Sequence, residues 1–134
     1  MRRIAVGLLL VACSSAIRGP DRNELVQKQG RKIILRAPVA TATFCKTCGR
    51  DAPVVVRFAD KIELSIPNCY AHAQSKIGDH DKVKVELLDT HADATAGELD
   101  ITDCVTSHVT AKLWVTFPDG TRADAVIDTD VKEP

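Results

Sequence analysis

The chain has 134 residues, with 18 basic and 18 acidic side chains, four histidines and five cysteines. A balance this close to zero argues against a nucleic-acid binder, which needs a strongly basic face for its phosphates. Aromatic residues make up only 4% of the chain, so Val, Ile and Leu must fill whatever core it builds.

The N-terminus has the layout of a secretory signal. Arg2 and Arg3 form a charged start, Ile4 to Leu10 a short apolar run, and Ala12, Cys13, Ser14 and Ser15 a small-residue end. The apolar run is far below the ~18–20 residues that a spanning helix requires. Leu10-Val11-Ala12-Cys13 resembles the lipobox of bacterial lipoproteins at all four positions. The resemblance covers about the first 15 residues. It implies a diacylglycerol thioether on Cys13, cleavage before that residue and acylation of the new N-terminus. Several acyl chains on one residue make membrane anchoring effectively permanent. The implied setting is the cell envelope: an outer-membrane-anchored lipoprotein facing the periplasm, or one at the surface. Of 134 residues, cleavage removes twelve (1–12) and leaves 122, a single domain of ordinary size. Arg2 and Arg3 leave with the signal, so 18 basic residues become 16 against 18 acidic, near −2.

Residues 13–31 read as the lipidated N-terminus and a polar tether, with at most a helical turn or two over Asn23–Gln29. Six basic and two acidic residues between Arg18 and Arg36 give this stretch a net +4, which anionic lipid headgroups would attract but which reads first as a solvated linker. From Lys32 the period is two, the mark of strands with one buried face. Ile33, Leu35, Ala37 and Val39 alternate with Ile34, Arg36 and Pro38, and the proline demotes this run to an edge or bulged strand. Val54, Val56 and Phe58 share a face; Ala59-Asp60 turns the chain, and Ile62, Leu64 and Ile66 share the next. Val83, Val85 and Leu87, then Leu99 and Ile101, continue the pattern. Val105–Phe117 reads as the clearest strand, and Pro118-Asp119-Gly120 supplies a turn into Ala123, Ala125 and Ile127.

About seven strands over residues 32–130, with no long amphipathic helix, imply an all-β fold. The expected form is an antiparallel β-sandwich, immunoglobulin-like in the loose sense, with a small β-barrel as the alternative. Residues 131–134 are expected to fray.

With Cys13 carrying lipid, Cys45, Cys48, Cys69 and Cys104 remain. An even number in an exported chain points to disulfides. Cys69–Cys104 is the favoured structural bridge, whose long loop gives a chain-entropy estimate of about 4 kcal/mol. Cys45–Cys48 then bridges locally, and a crossed pairing of Cys45 with Cys69 or Cys104 stays open. The rival reading is a structural zinc site. Cys45, Cys48, Cys69 and His72 stand as C-x₂-C-x₂₀-C-x₂-H, close to the spacing of Cys₃His ribbons. In an oxidising envelope it ranks second and would strand Cys104. Thiol redox chemistry at Cys45–Cys48 ranks last, because no helix N-terminus follows to lower a thiol pKa.

His80 between Asp79 and Asp81, and His91 between Asp89 and Asp93, read as solvated loops. His108 reads as an exposed strand residue. Trp114, flanked on its face by Lys112 and Thr116, either packs under a second sheet, the commoner outcome, or anchors a partner. No nucleophile elbow, phosphate loop, dinucleotide fingerprint or metalloprotease motif is present. The expected function is therefore that of a non-enzymatic, lipid-anchored envelope module. It needs no cofactor and binds a protein or cell-wall partner.

Overall fold

A computed structural model describes residues 19–45, 47–48, 52–67, 74–78, 83–105 and 107–133. The lipobox lies outside the described residues, as do Cys69, His72 and His80. Among the described residues no helix is long and apolar enough to cross a membrane.

The fold is all-β. In chain order the strands are β1 (Glu24–Gln29), β2 (Lys32–Phe44), β3 (Pro53–Phe58), β4 (Ile62–Pro67) and β5 (Gln74–Ile77), then β6 (Lys84–Leu87), β7 (Ala92–Asp93), β8 (Ala96–Val105), β9 (His108–Thr116) and β10 (Arg122–Asp130). They form one ten-stranded sheet in the order β5-β8-β9-β10-β1-β2-β3-β4-β6-β7. Every pairing between these strands is antiparallel. The sheet curls into a half-barrel.

The expected antiparallel all-β architecture holds, in the curled form that the barrel alternative describes. Two separate sandwich sheets do not form because β2 belongs to both halves. Its residues up to Pro38 pair with β1, and Val39–Phe44 pair with β3. The register breaks between Val39 and Thr41, where the sheet turns its corner. Pro38 sits at that corner, and its carbonyl accepts the Ala59 amide at 2.9 Å. The run bulges as expected, although it is central rather than an edge.

Two seams hold the curl. Ala94 N–H donates to Val85 of β6 at 2.8 Å, and the next amide, Thr95, donates to Thr116 of β9 at 2.9 Å. Adjacent residues thus bond to opposite halves. Elsewhere the Phe44 amide donates to Lys132 and the Lys132 amide to Ala42, each at 2.9 Å. The tail expected to fray is therefore stitched down, with Val131 8% exposed.

Alternation sets the core. Val54, Val56 and Phe58 of β3, Ile62, Leu64 and Ile66 of β4, and Val109, Leu113 and Val115 of β9 join one buried cluster that draws on both halves. Two elements differ from expectation. Val105–Phe117 is not one strand: Cys104 pairs with Val109 and Val105 with His108, so the chain reverses around Ser107 without a Gly or Pro to announce it. The tether ends sooner than Arg31, because Glu24–Gln29 is a strand between β10 and β2 rather than a helical turn. Leu25 and Val26 are fully buried there, and Gln27 points inward, where its Nε2 donates to Thr121 Oγ1 at 3.0 Å. Thr121 donates in turn to Asp119 Oδ1 at 2.6 Å, so this buried amide is satisfied.

Candidate functional site

Trp114 stands on β9, the second strand of the β8-β9-β10-β1-β2 half, on the face turned away from the core cluster. The pairings place it in a row that runs Glu98, Trp114, Asp124, Val26, Arg36 across five strands. The flanking rows are Asp100, Lys112, Val126, Glu24, Pro38 on one side and Ala96, Thr116, Arg122, Lys28, Ile33 on the other. The indole is half-buried, with the Arg122 guanidinium 4.8 Å from its ring centroid. Arg122 is itself held by Asp124, through Nε at 3.2 Å and Nη2 at 3.1 Å. The guanidinium over the ring is a cation–π contact that favours this orientation of the indole.

A concavity of about 380 Å³ opens beside the ring, lined by Glu98, Asp100, Lys112, Trp114, Asp124 and Val126. Asp124 is already paired with Arg122, which leaves Glu98 and Asp100 against Lys112, so the concavity is weakly acidic with an aromatic wall. No family model, curated protein or solved structure matches this chain. The face must therefore be read from its own chemistry. Its features are a half-exposed indole, apolar Val126 beside it and several charges around them.

A second cluster lies on the strand pair β9–β10, far from the turn. His108 Nε2 is 2.6 Å from Asp128 Oδ1, and Nδ1 is 2.8 Å from Asp130 Oδ1. Only the doubly protonated imidazolium donates to both carboxylates. The Asp130 hydrogen bond, and then the Asp128 one, accordingly raises the His108 pKa above 6.5. The bond from His108 lowers that of Asp128, with help from Arg22 at 3.2 Å. Asn23, in the left-handed region at φ +58, brackets Asp128 from the other side. Its Oδ1 accepts the Asp128 amide and its Nδ2 donates to the Asp128 carbonyl, both at 2.7 Å.

This clip has a pH window. A raised histidine pKa contributes stability that is complete below about 6.5 and is lost as pH rises through the folded value. The lowered Asp128 contributes above about 3.8 and loses its share as pH falls through its folded value. Melting temperatures of the parent and His108→Gln should therefore differ most between these limits and converge as the solution turns alkaline. A difference independent of pH would mean that the histidine is not charged in the fold.

The remaining candidates are not gathered with Trp114. Cys45 and Cys48 are joined by a disulfide, with Cα atoms 5.4 Å apart, just beyond the end of β2. Cys48 is exposed and Cys45 half-buried. Bonded to each other, these sulfurs offer no thiolate to zinc, so the Cys45, Cys48, Cys69, His72 alternative loses two of its four ligands. Cys104, buried on β8, is also disulfide-bonded, and its partner lies outside the described residues. Among the described residues no group of three or more His, Cys, Asp or Glu side chains could hold a metal ion. His91 is exposed at 82% and lies 3.4 Å from Glu86.

Proposed function

We propose that this chain is a lipid-anchored cell-envelope protein with a non-enzymatic role, binding a protein or cell-wall partner through the Trp114 face. The observation that carries the reading is the half-exposed indole under the Arg122 guanidinium on a five-strand face, with an acidic concavity beside it. The Leu10–Cys13 motif supports membrane attachment through lipid on Cys13, and the paired cysteines suit an oxidising compartment. In this reading Cys69 is the partner of Cys104, and the two bridges staple a domain whose core is poor in aromatic residues. The Cys₃His zinc alternative has less support, because it needs as thiolates two cysteines that are paired with each other.

In-cell photocrosslinking from position 112, beside Trp114, tests the proposal against position 84, outside this five-strand face. A discrete adduct is expected from position 112, absent from position 84 and lost when Trp114→Ala is added. No adduct from position 112, or the same adducts from both positions, would remove the binding face.

A further inference from the structure

The segment expected to be a basic tether is instead a hairpin. β1 and β2 are joined across Gly30-Arg31, with Gln29 paired to Lys32, and Gly30 takes φ +61 as a tight hairpin turn requires. No acidic residue occurs between Leu25 and Thr43. Three cations therefore crowd the tip: Lys28, Arg31 and Lys32. Arg31 and Lys32 are exposed, and none of the three takes part in an ion pair among the described residues. Arg36, further back, is neutralised by Glu24 at 2.6 Å.

The second feature is apolar. The β1–β2 register shifts between Gln27 and Lys28, so Gln27 faces Leu35 while Lys28 faces Ile33, and Ile34 is left unpaired. That bulge leaves Ile34 45% exposed, one of two large aliphatic side chains so exposed among the described residues. An exposed isoleucine within a few residues of three unpaired cations is the chemistry of an interfacial anchor, in which cations meet anionic headgroups and the alkyl group enters the acyl boundary. On the neighbouring strand Asp124 is paired with Arg122, and Asp119, in the β9–β10 turn, accepts from Thr121 and keeps its single charge against the three cations.

We propose that the β1–β2 hairpin tip docks on an anionic membrane surface and holds the domain flat against the bilayer to which Cys13 would tie it. The inference rests on the envelope-lipoprotein reading for its setting. Geometry permits it. Ten residues, Ser14 to Asn23, separate Cys13 from β1, a reach of at most about 33 Å. The tip lies one six-residue strand further on, about 20 Å from the start of β1, within that reach.

The chain carrying Cys13→Ser, which cannot take lipid, isolates the hairpin. It should float with vesicles containing about one third phosphatidylglycerol and not with pure phosphatidylcholine, with binding that fades as salt rises. Neutralising Lys28, Arg31 and Lys32 to Gln should weaken that binding about a hundredfold without lowering the unfolding temperature. Ile34→Ser should weaken it further. Equal binding to both vesicle types, no binding to either, or an undiminished neutralised variant would overturn the proposal. The intact mass of the unsubstituted protein reads lipid on Cys13 independently. Lipid without vesicle binding therefore sinks the hairpin and spares the anchor; vesicle binding without lipid supports the hairpin and sinks the anchor.

Discussion

Phe58→Ala is expected to lower the free energy of unfolding by about 3–5 kcal/mol, read as a large shift in a urea or thermal midpoint. Phe58 is fully buried and pairs with Val39 on one side and Ile62 on the other. It therefore packs where β2 leaves one half of the sheet for the other. With three phenylalanines, one tyrosine and one tryptophan in the whole chain, few neighbours are bulky enough to collapse into the space left behind. Against a total stability of about 5–15 kcal/mol the loss is a large share. A cost below about 1 kcal/mol would mean that the inner face of the half-barrel is not packed as described.

Gly97→Ala should cost about 3 kcal/mol and disturb the Trp114 face at the same time. Gly97 lies on β8 opposite Val115, with φ +154. A Cβ there would run into the Trp114 carbonyl oxygen and come within 2.9 Å of Val115 Cα. Those obstacles are mostly backbone, so relief requires β8 to draw away from β9, carrying Glu98 away from the indole. Gly120→Ala is the control: its φ is +85, but open space surrounds it, so only backbone strain of about 1 kcal/mol is expected. Trp114 is the only tryptophan, so its fluorescence reports the site directly. A changed emission in Gly97→Ala, and not in Gly120→Ala, is the expected pattern. Unchanged stability in both would contradict the β8–β9 register.

The elements that were legible in the sequence are those with one wet face. On β3 and β4, and on β10 as far as Ile127, every second residue is buried, and the period of two reads directly. β1 hid because Leu25, Val26 and Gln27 are all buried, so alternation fails over half its length and an inward glutamine disguises the rest. The reversal at Ser107 hid because a two-residue connection here uses neither Gly nor Pro, and the apolar rhythm runs through it. The His108 clip was accessible in principle. The Pro118–Gly120 turn centres the β9–β10 hairpin on Asp119, and reflection about that residue sets His108 opposite Asp130 and Thr110 opposite Asp128. What no local pattern could supply is the row through Trp114, since its members come from strands far apart in the chain.

Two parts of the exposed surface differ in chemistry. The Trp114 concavity is acidic and aromatic; the β1–β2 tip is cationic with one exposed isoleucine. Lys28 and Arg122 are paired neighbours on adjacent strands, so the two surfaces adjoin. A domain resting on its hairpin would keep the Trp114 face beside the bilayer rather than far from it, which favours a partner that is itself at the membrane.

The central claim is that the mature protein begins at a lipidated Cys13 and keeps its other cysteines oxidised. Mass spectrometry of the unreduced, alkylated protein from membranes tests it most directly. The account predicts a chain of residues 13–134 carrying the mass of a diacylglyceryl group on Cys13, with no alkylation at Cys45, Cys48, Cys69 or Cys104. An unlipidated Cys13, or three or four alkylated thiols, would contradict it, and the second result would return the zinc reading to first place.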